Sequence, residues 1–388
     1  MTSADPPLPT LLRRRRAGVI ELGLGEPDPG LLPCEALQRA ADRVLGAAGG
    51  EALSYGAPRG PGPLVSWLAA WLSSREGRTV RPGQLMITGG ASAALTQVCL
   101  ALSEPDGVAL CESPTYHLAG QIFRDYGLEP RAVAVDHDGI VPADLEAQID
   151  ETRASGRPVA LVYTVPSHNN PTGRTTPAER RVELVAVTRE RGVPLIEDDP
   201  YREVFFDSPP PPLGPLAEEL DVVRLGSFSK LLAPGLRLGW LLASSERVAH
   251  LLEAGWLGSG GGPNHLTAMI VHQLAVDGGL DGNLESIGPA YAERAEALVT
   301  ELRRVLPRGS QLDSPTGGFF VWVRLPERFD TGEILPLAER LGVSFAPGAR
   351  FGVPGAPLLK NALRLGFCGH PPDELREGAR RLGRALEG

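Results

Sequence analysis

The chain of 388 residues carries 47 acidic against 38 basic residues, a formal net charge of −9, and is 42% hydrophobic and 22% charged. That length is ample for two domains and a sizeable core, and the composition is that of an ordinary globular protein. The acidic balance argues against nucleic acid as a bulk electrostatic partner, and no apolar run approaches the roughly 18 residues that a membrane span needs.

Cys34, Cys99, Cys111 and Cys368 are scattered with no CxxC pair. This argues against a disulfide framework or a metal site and fits a reducing cytoplasm. The basic run at residues 13–16 is followed by "AGVIELGLGEPDPG", which holds acids and prolines in place of a signal-peptide core. It reads as a solvated arm.

Turn residues at "GEPDPG" precede a helix predicted over 33–45. A Gly/Pro-rich loop follows, then Leu64, Leu68, Trp71 and Leu72 at helical spacing. From residue 84 short apolar runs alternate with amphipathic stretches. "QLMIT", "GVALCE", "RAVAV", "VALVYTV", "VPLIED", "DVVRLGS" and "LGWLLAS" read as strands, and helices are predicted over 91–102, 116–126 and 177–191. Such alternation argues for a mostly parallel sheet covered on both faces. "DSPPPPLGPL" reads as a stiff surface loop. Beyond the Gly-rich "GSGGGPNH", which reads as a pocket border or a mobile connection, residues 266–306 are mainly helical. Strands at "GGFFVWVRL", "GVSFAPG" and "NALRLGF" and a helix over 372–386 close a small α+β block, built together with the N-terminal segment.

Ligands of open α/β sheets sit at the carboxyl ends of the strands. There, Gly89, Gly90, Ala91 and Ser92 form either an anion-binding helix start or a plain tight turn. Asn170 and Pro171 form a turn at another strand mouth. Asp198, Asp199 and Tyr201 end a third strand, and Ser227, Ser229 and Lys230 end a fourth. Two of the 38 basic residues are lysine, Lys230 and Lys360. A lysine kept where arginine is the rule points to chemistry that guanidinium does not perform. An anion cradle, a carboxylate, an asparagine, a tyrosine and a primary amine are together what pyridoxal phosphate requires.

The motifs "YGAPRG", "ESPTY", "NNPTG", "EDDPY", "SFSKLLAPGLRLGW" and "NALRLGF" occur in the order found in fold-type I class I/II aminotransferases. From about Glu21 to the C-terminus the chain resembles the branch holding 2-aminoadipate and kynurenine aminotransferases. The resemblance implies a large domain with a mostly parallel seven-stranded sheet between helices, and a smaller α+β domain. Residues 1–50 would form the N-terminal arm and part of the small domain, 51–262 the large domain, and 263–388 the helical connection and the rest of the small domain. It implies pyridoxal 5′-phosphate as cofactor, an amino acid and a 2-oxo acid as substrates, and a homodimer with shared active sites.

By the same resemblance Lys230 forms the internal aldimine and then moves the Cα proton, and Asp198 pairs with the pyridine nitrogen. Tyr201 and Asn170 bond the ring hydroxyl, and Tyr116 stacks on the ring. Ala91, Ser92, Ser227, Ser229 and Arg237 hold the phosphate, joined by Tyr55 from the neighbouring subunit. Arg364 binds the substrate α-carboxylate, with Asn170 beside it, and Gly25 lets the N-terminal segment approach. Arg364 alternates with apolar neighbours on its strand, a pattern equally met by a solvent-facing arginine.

The chain departs from close relatives at Ala91-Ser92, where Ser-Gln is common, and at Asn169, where Gln is common. Transamination is the leading expectation. Two alternatives remain at this stage. One is another pyridoxal-phosphate reaction (oxidation, decarboxylation or γ-replacement). The other is the ligand-sensing domain of a regulator, disfavoured by the short segment before the matching region.

Overall fold

The computed structural model describes residues 11, 15–213 and 222–387. In chain order, the first elements are β1 (Ile20–Glu21), α1 (Cys34–Ala52), α2 (Gly62–Glu76), β2 (Leu85–Thr88), α3 (Ala91–Leu102), β3 (Val108–Glu112), α4 (His117–Asp125) and β4 (Glu129–Val133). A small hairpin, β5 (Val135–Asp136) and β6 (Gly139–Ile140), leads to α5 (Pro142–Ala154), β7 (Val159–Thr164), α6 (Ala178–Glu190), β8 (Leu195–Asp198) and β9 (Val222–Ser227). Then come α7 (Phe228–Leu231), β10 (Gly239–Leu242), α8 (Ser245–Leu252), α9 (His265–Val276) and α10 (Gly279–Val305). The chain ends with β11 (Gln311–Leu312), β12 (Phe320–Arg324), α11 (Thr331–Arg340), β13 (Val343–Ser344), β14 (Ala346–Pro347), β15 (Ala362–Gly366) and α12 (Pro372–Glu387).

Seven strands pair in the order β2-β10-β9-β8-β7-β3-β4. β10 is antiparallel to both neighbours and the other pairings are parallel. Strands β2, β3, β7, β8 and β9 are buried along their whole length. This is why they read as continuous apolar runs rather than alternating ones. Their carboxyl ends share one edge and terminate in polar residues: Thr88, Glu112, Thr164, Asp198 and Ser227.

A second sheet has the order β11-β12-β15-β14, and β1 pairs in parallel with β13. The N-terminal segment is thus sewn to the small sheet: Leu22 N donates to Ser344 O at 3.1 Å and Gly366 N to Leu22 O at 2.6 Å. Asp28 is held by Arg294 at 2.7 Å. α12 turns Leu375, Ala379, Leu382 and Leu386 inward, one apolar stripe at helical spacing, and packs on α10. A single core joins α2 and β10 to Phe319, Phe320 and α12, so the two sheets share one interior at the place where the site lies.

Several boundaries differ from the sequence reading. The helix expected over 33–45 runs on to Ala52, across Gly46, Gly49 and Gly50, with one kink at Ala48 (φ −132°). Packing on α9 outweighs the weak helix preference of glycine there. "RAVAV" is split: β4 starts earlier, at Glu129, and Val135 belongs to the β5–β6 hairpin. Pro130 is tolerated because β4 is the edge strand. The Gly-rich run forms a π-helical turn, Leu257–Gly261. A Cβ on Gly260 (φ +95°) would lie 2.9 Å from the Tyr55 ring, and one on Gly261 2.4 Å from the Trp256 ring, so packing dictates these glycines. Arg13 and Arg14 of the basic run and residues 214–216 of the Pro-rich loop lie outside the described residues. Arg16 is pinned to Glu21 at 2.6 Å and Glu339 at 2.9 Å. No helix among the described residues is long and apolar enough to cross a membrane.

Candidate active site

Asp198 closes β8 at the edge where the parallel strands end, and is 7% exposed. Its Oδ2 accepts from the Tyr163 hydroxyl at 2.5 Å, while its Oδ1 is buried with no hydrogen-bond partner. Burial raises the Asp198 carboxyl to about 6, the Tyr163 bond acting against the rise and neighbouring Asp199 adding to it. An ionised carboxylate with one oxygen satisfied and one bare is suited to a cationic N–H donor, which would restore its charge and its missing bond. A pyridinium nitrogen meets both needs. Asp199 also lacks partners on both oxygens, but its charge bears on Arg181 and Arg224 beneath the sheet edge.

Lys230 lies on the one-turn helix α7. Ser227 caps that turn, its Oγ accepting from Ser229 N at 3.1 Å. Lys230 Nζ donates to Gly25 O at 2.9 Å and lies 5.9 Å from the Tyr201 ring centre and 5.4 Å from that of Phe319. Tyr201 is buried, and burial pushes its phenol above the ordinary tyrosine range while nearby Arg364 acts in the opposite direction. The Tyr116 phenol is close enough to bear on the ionisation of both Tyr163 and Tyr201. Lysine, aspartate and the three tyrosines therefore converge.

A corner for an anion adjoins them. α3 starts at Ala91 after Gly90 (φ +104°), with Ala94 N donating to Gly90 O at 3.0 Å. The amides of Ala91, Ser92 and Ala93 precede that first helical bond and point out of the helix start. Arg237, itself in the left-handed region (φ +49°), donates to Gly89 O at 3.0 Å. Gly239 pairs with both Ser227 and Thr88. A Cβ on it would meet Gly226 O at 2.5 Å and Gly90 Cα at 2.8 Å. Close backbone approach there brings the α3 start, Arg237 and Ser227 together.

On the other side, Arg364 is only 4% exposed, so its place on β15 is interior and not solvent-facing. Its Nη1 donates to Asn170 Oδ1 at 2.7 Å and its Nη2 to Gly23 O at 2.7 Å. The guanidinium lies 4.0 Å from the centre of the Phe320 ring and 4.9 Å from that of Phe351. Gly23 and Gly25 thus offer their carbonyls to Arg364 and Lys230 in turn. A Cβ on Gly25 would sit 2.6 Å from Phe320 Cζ, so the ring of Phe320 is a second reason for glycine there. Tyr55 stands apart from this centre, 91% exposed with its ring on Gly260.

Sequence reasoning passed over Tyr163, Glu112 and the aromatic platform of Phe319, Phe320 and Phe351. Glu112 was open to the same rule that selects Asp198, an acid closing an apolar strand. Tyr163 was visible as a polar group inside the apolar run "VALVYTV".

The family model for aminotransferase class I and II matches residues 17–382. The chain is 35% identical over 381 residues to the 2-aminoadipate transaminase of Thermus thermophilus, covering 96% of this chain and 91% of that one. It superposes with TM-score 0.89 on the multiple substrate aminotransferase of Thermococcus profundus, at 32% identity, covering 96% of this chain and 92% of the other. It also superposes on the alpha-aminoadipate aminotransferase of Thermus thermophilus, solved with N-(5′-phosphopyridoxyl)-L-leucine. That match has TM-score 0.85 and 35% identity, and covers 96% of this chain and 93% of that one.

Proposed function

The chain belongs to the class I and II aminotransferases, and we propose that its pyridoxal-phosphate-dependent exchange of an amino group between an L-amino acid and a 2-oxo acid is carried out by Lys230, Asp198, Tyr201, Asn170 and Arg364. The observation that carries this assignment is the buried, partnerless Asp198 Oδ1 at the same sheet edge as the Lys230 amine. When bound, pyridoxal phosphate supplies the aldehyde that takes up the amino group and a ring that accepts the electrons left at Cα.

The protein's part is positioning and proton transfer. Lys230 Nζ provides the primary amine and, once released, moves the proton at the substrate Cα. Asp198 Oδ1 holds the ring nitrogen in its protonated form, and Tyr163 keeps that carboxylate oriented. Tyr201 and Asn170 donate to the ring hydroxyl, and Tyr116 covers one ring face. The amides at Ala91 and Ser92, with Ser227, Ser229 and Arg237, receive the phosphate. Arg364 receives the substrate carboxylate between the Phe320 and Phe351 rings, its planar fork suited to two oxygens.

Two organisational features belong to the same reading. Tyr55, so exposed in one chain, reaches the phosphate of a second copy in a homodimer. Residues 51–262 form the cofactor-binding domain, with 1–50 and 263–388 supplying the arm, the connection and the small domain. Four cysteines free of disulfides support a reducing cytoplasm.

The test is a substrate-panel half-reaction. Holoenzyme is mixed with single L-amino acids in the absence of any 2-oxo acid. Stoichiometric loss of the cofactor's visible band, restored by a 2-oxo acid, is expected. Repeated turnover with oxygen uptake or release of a substituent would refute transamination.

A further inference from the structure

Glu112 is the buried acid that the mechanism above leaves without a task. It closes β3, is 3% exposed, and lies at the same sheet edge as Asp198. Its three hydrogen-bond partners are neutral. Val165 N donates to Oε1 at 2.7 Å, Asn169 Nδ2 to Oε1 at 2.9 Å, and Thr164 Oγ1 to Oε2 at 3.0 Å. The nearby titratable groups are Asp198, which raises the Glu112 carboxyl, and Cys111 and Tyr163, on which Glu112 itself acts.

Asn169 is wired on both sides. Its Nδ2 also donates to Val165 O at 3.2 Å, and its Oδ1 accepts from Thr172 N and Thr172 Oγ1, both at 3.0 Å. Val165 O accepts only and Thr172 N–H donates only, so these two partners settle which end of the amide is which. The backbone of Asn169 completes the turn, with Asn169 N donating to Arg174 O at 2.8 Å and Gly173 N to Asn169 O at 2.7 Å. The next residue along is Asn170, whose Oδ1 receives Arg364 Nη1.

We propose that Glu112 is a positioning residue that acts through Asn169 to hold the turn carrying Asn170 against Arg364 and the cofactor ring. This inference rests on the function assigned to Asn170 above. Without Glu112, Asn169 Nδ2 keeps only its longer bond to Val165 O, so the amide is held firmly on its Oδ1 side alone, and Val165 N–H is left buried without an acceptor, a costly arrangement. The turn then relaxes at the point where Asn170 begins. The role is geometric, not a matter of charge. A glutamine at 112 offers one oxygen to Val165 and Asn169 and an N–H to Thr164, whose hydroxyl is able to turn and accept.

The experiment titrates the visible band of the bound cofactor against pH in the wild-type holoenzyme and in Glu112→Leu, Glu112→Gln and Asn169→Ala. Asn170 N–H stabilises the ionised ring oxygen, so a loosened Asn170 moves the midpoint of the band to higher pH. Glu112→Leu and Asn169→Ala are expected to shift it upward by about 0.5–1 unit, the effect of one weakened hydrogen bond. The double variant shifts no further than either single one, because both act through one chain of contacts. Glu112→Gln keeps the wild-type midpoint.

An unchanged midpoint in both disrupting variants, with only a lowered melting temperature, would overturn the proposal by reducing Glu112 to fold support. So would a Glu112→Gln shift as large as that of Glu112→Leu. If Glu112→Leu does not fold, Asn169→Ala carries the same comparison. A wild-type protein with no visible cofactor band refutes the function itself, and this inference with it, whereas a normal band with an unmoved midpoint refutes the inference alone.

Discussion

The hydroxyl of Tyr163, the penultimate residue of the neighbouring strand β7, donates to Asp198 at 2.5 Å, and both groups are buried. Tyr163 thereby selects which carboxylate oxygen remains for the cofactor ring. Tyr163→Phe removes the bond and keeps the ring packed edge-on against Phe123. A hydrogen bond to a charged group is worth roughly 1.5–3 kcal/mol, so a single-turnover rate about 10–100-fold lower is expected. Stopped-flow loss of the cofactor band measures it, and a wild-type rate would show that Asp198 needs no such orientation.

Lys230→Arg keeps the positive charge beside Gly25 O and removes the primary amine. Guanidinium stays protonated at any working pH. The variant is expected to lose turnover completely. Borohydride reduction followed by mass spectrometry should then find the cofactor adduct on the wild type and none on the variant. A variant that still turns over with a covalent adduct would dismantle the whole site assignment.

Much of this arrangement was legible from the chain because parallel strands carry their polar residues at one end. Asp198, Ser227 and Lys230 each close an apolar run or follow one directly, and connectivity brings such ends to a common edge. Arg364 was harder to read. Alternation along β15 is compatible with either face, and the burial of all its residues, with Arg364 held by Asn170 and Gly23, is a tertiary fact. The aromatic platform was illegible for the same reason: Phe320 and Phe351 meet around Arg364 only after separate segments pack. Tyr163 and Glu112 needed knowledge of which neighbouring strands pair, since their partners are 35 and 57 residues away, at Asp198 and Asn169.

Arg364→Lys tests carboxylate recognition. Lysine keeps the charge but gives up the two-pronged fork and the stacking between Phe320 and Phe351. Loss of about 1–3 kcal/mol of charge-assisted bonding predicts an amino-acid KM raised roughly 5–150-fold. The slow reaction with an amine lacking the α-carboxylate should stay unchanged. Equal damage to both substrates would place Arg364 in the support of the fold instead.

Tyr55→Phe tests the shared site. The phenol is 91% exposed in one chain, and under the homodimer proposed above its hydroxyl would reach the phosphate held by the second copy. The expected outcome is weaker cofactor binding, by about threefold to tenfold for one lost hydrogen bond, with an unchanged dimer mass by light scattering. An unchanged dissociation constant for pyridoxal phosphate would remove Tyr55 from the site.

His168 gives a pH prediction independent of catalysis. It sits in the left-handed region (φ +47°), packed against Gly317 and Gly318, each of which would strike it if given a Cβ. Burial, with a smaller contribution from nearby Arg181, lowers its imidazole to about 3. The folded value lies below the unfolded one of about 6.5, so the unfolded chain binds an extra proton between those limits. Stability is therefore whole above about pH 6.5 and declines as pH falls toward 3. His168→Asn removes the titration, and asparagine tolerates the same backbone conformation. Its melting temperature, followed from pH 7 down to about pH 5, should fall less steeply than that of the wild type. Parallel curves would mean that His168 protonates as readily in the folded protein as in the unfolded chain.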